Sequence, residues 1–494
     1  MPRSSFLILT LGLVAGPVLA QAPELSIPRS LTLQDAIELA YQNNPLLRQV
    51  ANNLNPATWG VRNAYASFVP SLSISGRAGY SGAGTQNFLT TDFVQSSGTV
   101  GSSYNVGLNL NISGRTLMQP GVARANFAAA EASITGAEIN LESVIRGQYL
   151  AVKEAEAQLD LSRLQLTRNE EFLRLAQARF EVGQNTLLDV RRAEVERGQS
   201  QVQVLRAQQG VVVEKLRMFQ TIGIRAPNDP NVVTFPDVFP VVEPQWQLQA
   251  LLDEAEVENP DLIVLRAQES SANASERATR SDYLPSLSLS AGWSGFTQQF
   301  TNTDFVLGSA EAQADGAVAQ CQFTNANWQN PGTTPQDCSQ FAWDPAFAQP
   351  IIDRNSVFPF SFTAQPFSAS IGISLPIFTQ FSRPLQVAQA SAQTEDAAEA
   401  VRARELLVRT AVSENYYALQ AAYTAIGIQE SNRTAAQEGL RLATERYRVG
   451  SGTFYELLDA QLAAQLAEAD YVNAVYAYHR AIATLENAVG RPLR

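Results

Sequence analysis

One histidine and two cysteines are all that this chain of 494 residues offers as imidazole or thiol ligands. They form no metal-spaced cluster, and neither a GxSxG nucleophile turn nor a glycine-rich phosphate loop is present. An enzyme built on any of these is therefore disfavoured, and no cofactor or metal is expected. Basic runs are absent too. A net charge of −12 weighs against nucleic acid as a partner. Beyond the first residues no apolar run reaches the ~18 residues of a transmembrane helix.

What is present begins with MPRSSFLILTLGLVAGPVLAQ. Arg3, a short apolar stretch and Val18-Leu19-Ala20 make the three parts of a secretory signal peptide, assigned to 1–20. Cleavage after Ala20 leaves Gln21 first, and with no cysteine nearby a cysteine-linked lipid anchor is not expected. Cys321 and Cys338 share one Asn/Gln/Thr/Pro-rich stretch. In an oxidising compartment a local disulfide is the expected state, with two free thiols as the alternative. The lone histidine, His479, sits beside Tyr476 and Tyr478 in a helical tract and reads as a helix-face residue.

The chain repeats itself. FVPSLSIS at 68–75 recurs as YLPSLSLS at 283–290, and Asn44-Pro45 as Asn259-Pro260, both at an offset of 215. RFEVG at 179–183 recurs as RYRVG at 446–450, and Tyr149 as Tyr416, both at an offset of 267. About fifty extra residues, including both cysteines, lie between the paired strands of the second copy. The first repeat covers 21–222, with strands at 68–80 and 103–113 and long helices at 122–180 and 186–220. A proline-rich joint fills 223–245. The second repeat covers 246–494, with strands at 284–296 and 367–378, an enlarged loop at 295–366, and helices at 386–447 and 454–488. A helix of roughly sixty residues spans about 90 Å, beyond any compact domain. In 186–220, Leu188, Val195 and Val202 recur every seven residues, a coiled-coil stripe.

The strands explain the rest. In YNVGLNLNIS (104–113), Tyr104, Val106, Leu108, Leu110 and Ile112 alternate with small or polar residues, and the other three runs do the same. Each run is about ten residues, long enough to cross a bilayer as a tilted strand. Backbone in lipid must be fully hydrogen-bonded, and a closed bacterial barrel takes roughly eight strands or more. One chain supplies four, so other copies must close the wall, two giving eight strands and three giving twelve. The small, polar inward faces favour the wider barrel. A soluble sheet half-buried on a helical core is the alternative.

LTLQDAIELAYQNNP, the two PSLSxS strand starts, ISLPIF at 373–378 and the turns RFEVGQNTLLDV and RYRVGSGTFYELLDA resemble the TolC-like outer-membrane efflux factor family over residues 31–492. The resemblance implies a mostly α protein with a membrane β-barrel and two repeats per chain. It also implies a homotrimer whose twelve-stranded barrel runs into a periplasmic helical tunnel. Implied partners are outer-membrane lipid, a periplasmic adaptor and an inner-membrane RND or ABC transporter. The activity implied is export of small molecules or proteins. At the periplasmic gate, the matching residues Asp189 and Tyr447 would share a hydrogen bond. Glu456 and Asp459 would form two acidic rings at the constriction, and as i, i+3 residues they share a helix face. Without the resemblance they read as solvated charges at a helix start. Val182, Gly183, Val449 and Gly450 would receive the adaptor. Two departures stand out. Gly452 replaces an arginine of the family's pattern, and Asn111-Ile112-Ser113 stands where the other copy has Pro376-Ile377-Phe378. The competing reading is a coiled-coil adhesin without transport, which would leave the amphipathic strands unused.

Overall fold

A computed structural model describes residues 28–88, 91–95, 97–327 and 334–493. Residues 1–20, assigned above to a signal peptide, lie outside the described residues. The helices are α1 (Leu33–Asn43), α2 (Pro45–Ala51), α3 (Leu54–Ala66), α4 (Gly114–Glu181), α5 (Leu187–Ile222), α6 (Leu248–Glu258), α7 (Pro260–Arg280), α8 (Thr303–Ala326), α9 (Ala348–Asn355), α10 (Ser382–Arg448) and α11 (Phe454–Val489). The strands are β1 (Ser71–Ser81), β2 (Gly84–Phe88), β3 (Thr91–Gln95), β4 (Thr99–Ile112), β5 (Ser286–Phe300), β6 (Thr363–Ala364) and β7 (Ser368–Ser374). The chain divides into two compact units that ignore the repeat boundary, each drawing on both halves of the sequence.

The first unit is mostly helical; its described residues are 28–51, 134–262 and 405–493. Its core is a series of small clusters along the helices. Ile37, Ile145, Tyr149, Met218, Phe219 and Phe235 bury one patch, while Leu251, Leu262, Val412, Leu419, Tyr478 and Leu485 bury its counterpart. The proline-rich joint contributes directly: Val233 and Phe235 are buried, and Ser30 bridges Thr234 in parallel. Lys215 donates to the Val233 carbonyl at 2.9 Å and pairs with Glu156 at 3.2 Å. His479 departs from its sequence reading. It is 1% exposed and packed against Tyr478, Phe239 and Tyr476.

The repeat recurs here as chemistry. Proline biases the residue before it away from helix, and at both Asn-Pro sites the asparagine stays extended and joins two helices. Asn44 accepts from the amides of Leu46 and Leu47 and donates to the Thr221 carbonyl. Asn259 accepts from Asp261 and Leu262 and donates to the Ala488 carbonyl. Over each asparagine lies the glycine that ends α5 or α11. Gly223 and Gly490 take φ of +86° and +100°, and a Cβ on them would meet Asn43 O at 2.7 Å and Glu258 O at 2.2 Å.

The second unit (52–133 and 263–404) carries an antiparallel sheet in which β1 pairs β4, β4 pairs β5, and β5 pairs β7 and β6. Its register keeps the alternation in phase: Ile74 faces Val106, Val106 faces Trp293, Leu108 faces Ala291, and Leu289 faces Ile371. The opposite face carries Ser73 against Gly107 and Asn109 against Ser290. β7 stops at Ser374, short of the expected 378, because Pro376 has no N–H for the ladder. Two connections between paired strands carry secondary structure of their own. The first forms the hairpin β2–β3. The span 295–366 contains the end of β5, α8 and α9. Cys321 and Cys338 are joined as a disulfide. Asn325 and Gln336 hydrogen-bond in both directions beside it, at 2.7 and 2.9 Å.

Candidate functional site

The two helical turns of the first unit are built alike. α4 and α10 each end on a left-handed glycine, Gly183 with φ +76° and Gly450 with φ +83°. At each, the glycine amide and the next amide return to carbonyls of the last turn: Gly183 to Phe180, Gln184 to Arg179, Gly450 to Tyr447, and Ser451 to Arg446. The helices that follow begin with reciprocal caps. Thr186 and Asp189 satisfy each other's backbone amides at the start of α5, as Thr453 and Glu456 do at the start of α11. The turns themselves stay open, with Val182 at 68% and Val449 at 75% exposure. Leu187, Leu188 and Tyr455 extend this exposed apolar rim.

Between the turns lies a buried cluster of Leu173, Val190, Tyr447, Phe454 and Leu457. The expected hydrogen bond from Tyr447 to Asp189 is not formed. The Asp189 carboxylate is taken up locally, accepting from the Thr186 amide at 3.1 Å and its hydroxyl at 2.8 Å. The Tyr447 hydroxyl instead accepts from the side-chain amide of Asn185. The Arg179 guanidinium stacks 4.6 Å from the Tyr447 ring centroid and is itself buried. Burial foremost pushes the Tyr447 hydroxyl above its ordinary pKa, and the charge of Asp189 adds to this, while Asn185 and Arg179 oppose it. Sequence matching found the tyrosine but missed Asn185 and Arg179. The signal available for Arg179 was its place opposite Arg446 in the repeat.

Glu456 and Asp459 are both exposed, one helical turn apart on α11. Glu456 does double duty, capping the helix and lying 3.4 Å from the Arg446 guanidinium. Arg446 thus brings a cation beside Gly452, where the family's pattern has its arginine. Higher along these helices, Arg168 donates to both oxygens of Glu468 at 2.7 and 2.8 Å, and Gln437 adds a third bond at 2.9 Å. Glu468 is buried. This link between α4, α10 and α11 has no motif and was not legible in the sequence.

The coiled-coil stripe does not close on its own chain. Leu188, Val195 and Val202 of α5 are 57%, 56% and 46% exposed, while Val190, Val204 and Val211 take the buried positions. The sheet is similar: Leu72, Ile74, Trp293, Ile371 and Ile373 on its apolar face are all exposed. Its two edges, β1 on one side and β6 and β7 on the other, have no further partner among the described residues.

Solved structures share this fold. The outer membrane protein VceC from Vibrio cholerae matches with a TM-score of 0.67 at 17% identity, covering 94% of this chain and 97% of that one. The open-state MtrE outer membrane channel of Neisseria gonorrhoeae matches at 0.64 and 20% identity, covering 94% and 89%. The fold is that of an outer-membrane channel. By sequence, the outer membrane efflux protein model matches residues 36–223 and 251–491, and the chain belongs to that family. Among relatives, outer membrane efflux protein BepC of Brucella suis is 24% identical over 495 residues, 97% of this chain and 90% of that protein. The toluene efflux pump outer membrane protein TtgF of Pseudomonas putida is 28% identical over 274 residues, 53% and 54% of the two chains.

Proposed function

We propose that this outer-membrane efflux protein works as a homotrimeric export duct, its twelve-stranded barrel assembled from the four long strands of each protomer. One observation carries this reading: β1, β4, β5 and β7 form an amphipathic sheet with an exposed apolar face and open edges. Unpaired strand edges cannot stay in hydrocarbon, so symmetric copies must supply the missing pairs. The exposed stripe of α5 offers the matching seam for the helices. The duct does no chemistry of its own. An inner-membrane RND or ABC transporter supplies the energy, and a periplasmic adaptor docks on the turns through Val182, Gly183, Val449 and Gly450.

In this reading the turns are the periplasmic gate. Tyr447, clamped by Asn185 and Arg179, holds the two turns together near Asp189, and Glu456 and Asp459 of three protomers ring the passage with carboxylates that favour cations. The cargo class follows the relatives named as efflux proteins, small molecules rather than secreted protein. The test is reconstitution in planar bilayers with mass measurement of the detergent-solubilised particle. A trimer with cation-preferring conductance supports the duct. A particle of one chain, or a folded trimer without conductance even after Tyr447→Phe, overturns it.

A further inference from the structure

We infer that the apolar face of the sheet carries a seat for one phospholipid of the surrounding membrane, its acyl chain in a notch over β4, β5 and β7 and its phosphate on Arg383. The inference rests on the membrane reading of the sheet given above. The notch encloses about 360 Å³, and Leu108, Leu110, Leu289, Ala291, Ala369 and Ile371 line it. Register creates it. Ala291 lies opposite Ala369, and both stand between larger side chains, Leu108 beside Ala291 and the Leu289–Ile371 pair one rung below. Two adjacent methyl groups among leucines and isoleucine leave a depression the chain itself does not fill. Beyond Ala291 on the same face of β5 stands Trp293, its ring 4.9 Å from that of Phe367.

The root end of the same strands has the complementary chemistry. Arg383 donates from Nη1 to the Pro376 carbonyl at 2.7 Å, and its guanidinium lies 5.6 Å from the Tyr283 ring centroid. Among the described residues no carboxylate pairs with it, whereas Asp282, the residue before Tyr283, is paired with Arg115. Tyr283, Phe378 and Phe381 around it are exposed. Aromatic rings beside a cation are the composition of a headgroup layer. The Leu289–Ile371 pair stands three residue steps along the strands from Ser286–Ser374 at the root, about 10 Å of rise. That spacing suits a phosphate below and a chain above. Further protomers add at the sheet edges, so the face itself is left to lipid. A free phosphate would leave the notch without an occupant.

Native mass spectrometry of the detergent-purified trimer, with phosphatidylglycerol or phosphatidylethanolamine added, tests this. Wild-type trimers should retain phospholipid that millimolar inorganic phosphate does not displace. Ala369→Leu, which fills the notch, and Arg383→Gln, which removes the cation, should each lower retention roughly tenfold, the worth of one charge-assisted bond or a lost chain contact. Intact trimers of both variants that hold lipid like wild type overturn the seat while leaving the duct standing. Displacement by phosphate alone overturns it in favour of a free-anion site. Absence of any trimer overturns the seat and the duct together.

Discussion

The side-chain amide of Asn185, two residues past the glycine that ends α4, donates to the hydroxyl of Tyr447 near the end of α10. This bond ties the turn of one repeat to the turn of the other. Tyr447→Phe keeps the buried ring but leaves the Asn185 amide without its acceptor, at a cost of about 0.5–1.5 kcal/mol. Single-channel recording should show larger or longer openings for this variant. Unchanged closed-state conductance would remove Tyr447 from the gate.

Glu456 couples two roles that can be separated. Glu456→Gln retains a side chain able to complete the capping box but drops the charge, whereas Glu456→Ala drops both. Reversal-potential measurements should show weaker cation preference for each variant, and further weakening when Asp459→Ala is added. Thermal melting should respond only to the alanine change, by about 0.5–2 kcal/mol. Equal selectivity in wild type and Glu456→Gln would assign the residue to capping alone.

Glu468 is buried and its pairing with Arg168 is bidentate. Glu468→Leu strands the guanidinium beside an apolar side chain and should destabilise the protein by about 3 kcal/mol. Adding Arg168→Leu should restore much of that loss. Denaturant unfolding of the two variants measures both numbers. A double variant no more stable than the single one would show that the pair is not a closed unit.

Raised tyrosine hydroxyls, Tyr41 and Tyr447 among them, make stability fall at high pH. Burial, followed by the charge of Glu142, pushes Tyr41 from its ordinary 10.0 up to about 12, and burial raises Tyr447 as well. Each holds its proton more tightly folded than unfolded, so its contribution is complete below pH 10. It is lost as pH rises through the folded value, towards about 12 for Tyr41. Unfolding curves should therefore lose stability across that window, and less so in Tyr41→Phe. Identical slopes in the two proteins would contradict the assignment.

Gly223 and Gly490 close on the backbone at Asn43–Asn44 and Glu258–Asn259, and both have left-handed φ. Gly183 and Gly450 share the φ, yet a Cβ placed on either would find no backbone atom within 4 Å. Alanine at 223 or 490 should therefore cost well over the roughly 1 kcal/mol expected for alanine at 183 or 450. Melting temperatures of the four variants rank them. Equal losses at all four would mean that the close approach plays no part.

Local chemistry was legible wherever a residue's own neighbours in the chain decide its conformation. At Asn44-Pro45 and Asn259-Pro260 the helix breaks at the residue before proline, and Thr186 and Thr453 cap α5 and α11, each through a signal only a few residues long. Strand alternation survived intact because a period of two fixes which face a side chain occupies. Asp189 was matched to Tyr447 by position, but a carboxylate three residues from a threonine at a helix start has a local partner at small entropic cost. Asn185 was left to reach the tyrosine. The helix α8 inside 295–366 escaped notice because its apolar residues keep no sustained helical stripe.

The sequence by itself determined the repeat, the long helices and the two-faced strands, since these depend on proline, glycine and periodicity over a few residues. Only the tertiary structure decided which distant residues meet: Asn185 with Tyr447 and Arg168 with Glu468 across the repeats, and Gly490 against the Glu258 carbonyl within the second. Those contacts join residues up to 300 positions apart, as in Arg168–Glu468, and are fixed by how the helices pack. No local pattern encodes that packing.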